Sequence, residues 1–536
     1  MIHEKLLLIL SLLFVVFLLV MLGEKLRISY PIFLVVSGLV ISLIPGIPSI
    51  NLDPELVFII FLPPLLYEAA WYTSWNDFWK WRRPISVLAF GLVIFTSGIV
   101  AVVASSMIPG FTLALGFLLG GIISPPDAVA ATSVLKGVRA PKRVLTILEG
   151  ESLVNDASSL IVFRFALAAV MSGTFVLQQA AADFFIVTFM GVVTGLIIAH
   201  VMYAIHRWMP TNASIDTALT LMTPYLMYIA AEEFHYSGVM AVVSGGLFLS
   251  FRSHEILNFR SRIQASSVWS TVIFMLNGIV FILIGLELPV IVSTLGEYSM
   301  MQAIQYALII TALTIIIRIL WVFPTSFIPR WLSPRIRNSE PSPGWRGIFL
   351  IGWAGMRGVV SLASALSIPL TLAGGEAFPQ RNLILFITFV VILVTLVLQG
   401  LSLPFIIKWL KIEESQDFIS EEEQETAVRL HMMQAALKRL DEKYVPELRE
   451  NELVDNMKKQ LQSNIALFNQ KLESLECDET ETNERTLYNR VLKDIISVQR
   501  KELQRLRKQH LFEDDVLRRQ EARLDLDEAK ISYNIR

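Results

Sequence analysis

Charge is scarce over most of this 536-residue sequence. Residues 1–410 hold 23 Lys and Arg and 19 Asp and Glu, whereas the shorter stretch 411–536 holds 22 and 28. Cysteine is nearly absent: its one copy, Cys477, lies in the charged stretch, which excludes disulfide frameworks, CxxC zinc sites and thiolate-held clusters. None of the seven histidines belongs to an HExxH pair, and no GxxxxGK[ST] string occurs, which argues against an ATP-driven pump. A net charge of −2 offers nucleic acid no basic surface. What the sequence has instead is oil. Apolar residues make up 54% of it, too many for an ordinary soluble domain. Two solvents are being addressed: an all-α polytopic membrane domain over 1–410, of net charge +4, and a charged helical tail over 411–536, of net charge −6.

The first apolar run, Leu6–Leu22, lacks an A-x-A-like cleavage site, and Pro31–Ile44 follows it closely, so it reads as a first span rather than a secretory leader. A spanning helix needs roughly 20 apolar residues, fewer where neighbours support it. Thirteen segments qualify: 6–22, 31–46, 55–71, 85–107, 112–135, 144–171, 184–205, 217–232, 237–251, 268–290, 300–324, 346–369 and 382–407. Basic residues test the count independently, because cytoplasmic loops concentrate Lys and Arg. Alternate loops carry 17 of them, from Lys25 to Arg346, and the opposite set holds only Lys5 and Arg381. This pattern predicts a multi-pass protein of the cell membrane with its N-terminus outside and its tail in the cytoplasm.

Thirteen divides as six, one linker and six. Corresponding helices are then seven crossings apart, an odd number, so the second half inserts upside down, as in the inverted repeats of secondary transporters. A matching pair of interrupted helices is the sign to look for, since unwound backbone at membrane depth is tolerated only where it is buried in protein or lines a cavity. Span 5 runs through Gly120-Gly121-Ile122-Ile123-Ser124-Pro125-Pro126-Asp127, where two prolines remove amide donors. Span 12 reads Gly352-Trp353-Ala354-Gly355-Met356-Arg357-Gly358, three glycines around an arginine. Either break alone is also what a packing kink looks like. Two in equivalent positions, each beside a charge, predict a pair of crossing broken helices.

A charge in the bilayer core is costly and is therefore usually paired or functional. The deep acids are Asp127, Glu151 and Asp156; the deep bases are Arg164, Arg318 and Arg357. Glu151 and Asn155 share a helix face, with Asp156 one position further round. The acids outnumber the arginines able to reach them, which leaves a carboxylate to take a cation or a proton. Hard cations such as Na⁺ prefer oxygen, and carboxylate, amide, hydroxyl and freed carbonyl oxygens are what spans 5 and 6 offer. One carboxylate cannot hold a proton and a sodium ion well at once, so competition suffices to couple two fluxes.

Four strings carry a resemblance. They are Phe61-Leu62-Pro63-Pro64-Leu65-Leu66-Tyr67-Glu68, Ser124-Pro125-Pro126-Asp127-Ala128-Val129-Ala130, Gly150-Glu151-Ser152-Leu153-Val154-Asn155-Asp156-Ala157-Ser158 and Gly355-Met356-Arg357-Gly358-Val359-Val360-Ser361-Leu362-Ala363. In this order over most of residues 1–410, they resemble the cation:proton antiporter-1 family, in particular bacterial sodium/proton antiporters with a long cytoplasmic tail. The resemblance implies a homodimer in the lipid bilayer that exchanges Na⁺, or K⁺ or Li⁺, for H⁺ by alternating access, with no cofactor besides the transported ions. It implies that Asp156 binds the cation or the proton and that Asn155 is the neutral partner that goes with electroneutral exchange. Ser152 would join Asp156 as an oxygen ligand of the metal cation, Asp127 would stabilise the crossed half-helices near the ion, and Glu151 and Arg357 would form a buried ion pair. Many relatives carry Thr where this chain has Pro126, which leaves only carbonyl coordination there.

The remaining charges read as support. Glu68 follows the Pro63-Pro64 kink, Arg164 lies two turns beyond Asp156, and Arg318 neutralises a core acid or a helix end. Glu232, Glu233 and Glu287 lie near outside span ends, where solvent accounts for them; His200 and His206 flank an inside end. The tail has no glycine and one proline, Pro446, and Leu492, Ile496, Leu503, Leu506, Leu517 and Leu524 recur at spacings that suit amphipathic helices. Two other classes stay open at this point. A cation channel would conduct without coupled protons, although no filter-like repeat is present; a membrane sensor would signal through the tail.

Overall fold

Uninterrupted apolar runs do not alternate as half-buried strands do, and the described residues of each apolar segment found above are mainly helical. The computed structural model describes residues 2–26, 28–44, 54–135, 141–173, 177–293, 295, 298–334, 344–372, 375–410, 421–445, 451–474, 481–509, 517, 520–521 and 523–528. In chain order the helices are α1 (Ile2–Leu26), α2 (Tyr30–Ser42), α3 (Pro54–Tyr72), α4 (Trp75–Lys80), α5 (Arg82–Ser86), α6 (Val93–Met107), α7 (Leu113–Ile123), α8 (Ala128–Leu135), α9 (Lys142–Ser172), α10 (Leu177–Trp208), α11 (Ala213–Glu233) and α12 (Gly238–Phe251). There follow α13 (Ser253–Ile256), α14 (Phe259–Leu286), α15 (Leu288–Ser293), α16 (Met300–Leu332), α17 (Trp345–Trp353), α18 (Val359–Leu366), α19 (Arg381–Val394), α20 (Gly400–Leu410), α21 (Glu421–Lys443), α22 (Glu452–Ser474) and α23 (Glu481–Gln509). π-helical turns at Val87–Leu92 and Thr395–Gln399 join α5 to α6 and α19 to α20.

Among the described residues, seven helical stretches are long and apolar enough to cross a membrane: Arg82–Met107, Leu113–Leu135, Lys142–Ser172, Asp183–Trp208, Phe259–Ser293, Met300–Leu332 and Arg381–Leu410. α2 and α12 are apolar but shorter. Polar residues mark where several helices begin. Thr112, Asn212, Ser237 and Asn258 each accept the amide hydrogen three residues on, and Ser299 with Gln302 forms a reciprocal capping box.

The chain divides into two units, Met1–Glu413 and Glu414–Arg536. In the first, buried apolar side chains form two clusters. The larger draws on α1, α2, α6–α8 and α16–α20; the smaller draws on α3, α10–α12 and the first half of α14. α9 lies on the seam: Ile147 and Leu148 join the larger cluster, Leu153, Val154 and Ala157 the smaller. The residues between them, Glu151 and Asn155, are thereby placed where two packed bodies meet. Away from this seam, His206 Nδ1 and Ser261 Oγ both contact the Asp216 carboxylate, at 2.9 and 2.6 Å, tying α10, α11 and α14 together. Glu287 departs from the solvated reading: at the junction of α14 and α15 it is 6% exposed.

In the second unit α21 packs against α22, with Lys458 Nζ 2.7 Å from Asp441 Oδ1. Ile496 and Leu517 are buried; Leu492, Leu503, Leu506 and Leu524 are half-buried. Cys477 and Pro446 lie outside the described residues.

Close helix approach sets one test of this packing. A β-carbon added to Gly120 of α7 would stand 2.6 Å from Ser97 Cα of α6, whereas one added to Gly98 meets nothing within 4 Å. Gly120→Ala should cost about 1–3 kcal/mol of stability through overpacking. In thermal unfolding of the purified protein, Gly98→Ala should leave the midpoint unchanged or slightly raised.

Candidate functional site

The two helices marked as interrupted break where the sequence places the breaks. Ser124–Asp127 separates α7 from α8, and Ala354–Gly358 separates α17 from α18. Each break strands amides and carbonyls, and in apolar surroundings every such group needs a partner. The two breaks supply them to each other. Asp127 N–H donates to Met356 O at 2.6 Å, and Arg357 Nε–H donates to Ile123 O at 3.0 Å. Arg357 also donates its backbone N–H to Thr395 Oγ1 at 3.1 Å and a guanidinium N–H to Gly355 O. The Asp127 carboxylate accepts from Val129 N–H at 2.8 Å and has the amides of Ala130 and Val359 as further partners. One side chain thus caps α8 and α18 together. Gly358 makes this possible, since a β-carbon there would collide with that carboxylate.

α9 passes beside the first break and helps to satisfy it. Asn155 Nδ2 donates to Pro126 O at 3.1 Å, and Ser152 Oγ accepts from Ala128 N–H at 3.1 Å. Ser158 Oγ, one turn on, donates to Ala89 O in the π-helical turn at 2.5 Å. Asn155 Oδ1 is buried without a hydrogen-bond partner. Asp156 is 8% exposed, and among the described residues no hydrogen bond or ion pair reaches its carboxylate. Its charged neighbour is Asp127, of like sign. Around one break stand two carboxylates, an unpartnered amide oxygen, a proline carbonyl and a serine hydroxyl. Such an all-oxygen set suits a hard monovalent cation or a proton. Among the described residues no three His, Cys, Asp or Glu side chains gather into a metal cluster.

The buried ion pair departs from the expected one. Glu151 pairs with Arg318, not with Arg357: its two carboxylate oxygens accept from Arg318 Nη1 and Nη2 at 2.5 and 2.8 Å, and both side chains are fully buried. Arg318 Nε–H donates to Ile351 O at 3.2 Å, and the side chain passes through space that Gly355 leaves open. The physical reason lies in the two breaks. The Arg357 donors are drawn to one carbonyl stranded at each, Ile123 O and Gly355 O, and the parallel fork of Arg318 fits a carboxylate.

Two supporting residues lie elsewhere. Arg164 pairs with Glu232 of α11, whose Oε1 accepts Gly238 N–H at 3.2 Å, so it has no part in the crossing. Glu68 of α3 shares an electrostatic neighbour with Asp127, the Tyr30 phenol. Neither Tyr30 nor Thr395 belongs to any motif, and only tertiary structure reveals their positions.

The chain matches the family model described as sodium/hydrogen exchanger, transmembrane, over residues 9–409. It is 36% identical over 388 residues to a protein of Bacillus pumilus named sodium, potassium, lithium and rubidium/H⁺ antiporter. That alignment covers 71% of this chain and 58% of the Bacillus protein, less than two thirds of its length. An uncharacterized Na⁺/H⁺ exchanger of Mycobacterium bovis is 32% identical over 519 residues, with 95% of this chain and 93% of the relative covered. Among solved structures, the sodium proton antiporter MjNhaP1 of Methanocaldococcus jannaschii is similar at a TM-score of 0.60 and 19% identity, covering 77% of this chain and 100% of that one. At that identity the likeness is one of fold.

The observed pairing is testable by coupling energies. Breaking a buried pair by removing one partner costs about 3–5 kcal/mol, because the other charge is left uncompensated. Glu151→Gln and Arg318→Met should each lower the unfolding midpoint, and the double variant should lose much less than their sum. Glu151→Gln with Arg357→Met should lie closer to additive. The reverse ranking would restore Arg357 as the direct partner.

Proposed function

The chain belongs to the sodium/hydrogen exchanger family of membrane-embedded antiporters, and we propose that it exchanges Na⁺ for H⁺, one for one, at the single carboxylate of Asp156. The observation that carries this reading is the isolation of that carboxylate: it is buried beside two cross-tied helix breaks, with no donor or cation of the protein on it. A bare carboxylate in such surroundings is unfavourable. A proton or a sodium ion relieves it, and either excludes the other. In both cases the occupied site is neutral, so the loaded carrier has the same charge on both strokes. Asn155 in place of a second acid keeps the count at one carboxylate per cycle. Na⁺ would meet Asp156, Asn155 Oδ1, the Ser152 hydroxyl and the Pro126 carbonyl, while Asp127 holds the half-helices and no cofactor takes part.

The alternating-access unit in this reading has thirteen crossings, six and six about a linker, with the halves inverted. Its support is the pair of broken helices, seven predicted segments apart, and the alternation of basic loops in the sequence. The same alternation supports an N-terminus outside and a tail in the cytoplasm, in the cell membrane. The functional unit is a homodimer in the lipid bilayer, as the family resemblance implies. One observation favours a second reading, in which K⁺ or Li⁺ is also carried: the Bacillus pumilus relative is named for sodium, potassium, lithium and rubidium. Pro126, which offers a carbonyl and no side-chain oxygen, is consistent with loose selection.

Proteoliposomes with an imposed pH gradient provide the test. If both ions compete for Asp156, the apparent KM for Na⁺ should rise by up to about tenfold per pH unit as the medium is acidified. Velocity at saturating Na⁺ should change much less. Asp156→Asn keeps the size of the side chain and cannot be charged, so it should abolish Na⁺-dependent proton efflux in a protein that still folds. A KM independent of pH, or exchange surviving in a folded Asp156→Asn variant, would refute the shared site.

Stoichiometry has its own measurement. An imposed membrane potential of either sign should leave the initial rate of coupled exchange unchanged. Acceleration by one polarity would mean that the loaded carrier bears net charge.

A further inference from the structure

Asp156, Leu160 and Arg164 follow one another at four-residue spacing and share one face of α9. Burial falls along that face. Asp156 is buried, Leu160 is half-buried against the smaller apolar cluster, and the Arg164 side chain is 42% exposed. An ion that reaches Asp156 along this face from that end of α9 passes Arg164 first and Leu160 next. This half of α9 is seated on the larger body: Phe163 belongs to the larger cluster, and a β-carbon on Gly121 of α7 would stand 3.0 Å from Phe163 N.

The partner of Arg164 belongs to the other body. Its guanidinium pairs with the carboxylate of Glu232, at the C-terminal end of α11. The turn that follows fixes Glu232 in place. His235 N–H donates to Glu232 O and Tyr236 N–H to Ala231 O, each at 2.9 Å, with His235 in the left-handed region at φ 59°. Oε1 of Glu232 caps α12 by accepting from Gly238 N–H at 3.2 Å, and Oε2 faces Arg164. One carboxylate oxygen thus anchors the side chain to its own body, and the other reaches across to the helix that carries the ion-binding acid.

In a carrier that works by alternating access, two bodies must part on the side to which the site opens. We propose that the Arg164–Glu232 pair is the outer latch of the transport cycle, closed in the conformation seen here and parted when Asp156 faces outside. Its outer position rests on the exchange function and orientation proposed above, in which α9 runs outward from the basic loop before it and α11 ends outside. A half-exposed pair suits this use. Water receives both charges when it opens, so parting it costs little, whereas a fully buried pair such as Glu151–Arg318 would be too costly to break in every turnover.

The test reads access to the face behind the latch. Cys477→Ser removes the one native cysteine, and Leu160→Cys in that background places a reporter between Arg164 and Asp156. In intact cells with a membrane-impermeant maleimide outside, adding Glu232→Gln should speed labelling of the reporter by about two- to fivefold, the population shift that an exposed ion pair supplies. Glutamine keeps an oxygen for Gly238 N–H, so the cap on α12 survives and only the charge is lost. Arg164→Gln should act alike, the double Gln variant should exceed neither single, and Arg164→Lys should label near the parent rate. Unchanged labelling in both Gln variants would overturn the proposal. So would a gain with Glu232→Gln alone, which would mean that the carboxylate acts only through α12, or a gain seen only from the cytoplasmic face of inverted vesicles. If the Glu232 variant does not fold, the contrast between Gln and Lys at position 164 decides. Na⁺-dependent exchange is measured in parallel: faster labelling without exchange counts against the transport reading alone, and exchange with unchanged labelling against the latch alone.

Discussion

Backbone taken out of helical conformation inside a membrane protein must find hydrogen-bond partners without water, and this constraint organises the molecule. Two prolines and a run of glycines open the helices at Ser124–Asp127 and Ala354–Gly358. The openings then satisfy each other through Asp127 N–H to Met356 O and Arg357 to Ile123 O. Five polar groups are first enlisted in this closure: the Asp127 carboxylate, the Arg357 guanidinium, the Asn155 amide nitrogen, the Ser152 oxygen and the Thr395 hydroxyl. Function falls to what remains.

What remains is decided by how the deep charges are balanced. Glu151 and Arg318 neutralise each other in a two-pronged pair. Arg357 faces carbonyl oxygens, whose dipoles suit a cation. The Asp127 charge faces the amide ends of α8 and α18, where two helix dipoles favour an anion. Each of these charges has its counterpart within the protein. Asp156 has none among the described residues, and an ion drawn from solution completes the balance at that one position.

The sequence makes the helix breaks legible because their causes are local: proline has no amide hydrogen to give, and glycine tolerates close backbone approach. The acids of α9 are legible for a similar reason, since charge is conspicuous against oil. The partner of Glu151 is not legible. Arg318 and Arg357 are both deep and both long enough; the choice depends on α16 entering beside Gly355 and on carbonyls that become hungry only once the helices cross. Glu287 misleads in the same way, because the sequence gives its position along a helix but not its burial in the fold. Tyr30 and Thr395 carry no signal in a single chain, as their importance lies wholly in what the fold brings to them. In the tail, helical periodicity is readable from leucine spacing alone, whereas the pairing of Arg500 with Asp525 and Glu528 is a tertiary contact that spacing does not encode.

The π-helical turn at Val87–Leu92 makes helical phase a variable of this fold. A π turn accommodates one residue more than the α-helix would, and one residue is about 100° of rotation. The half that precedes the turn, bearing Arg83, and the half that follows it, Val93–Met107 against α7, are therefore set at an angle to each other that no regular helix of this length provides. Ser158 holds that offset from α9 by capping Ala89 O. Removing a single residue from the turn would restore a regular helix and swing either the segment before it or Ser97, which packs on Gly120, out of register, so the length of this segment is as constrained as its composition.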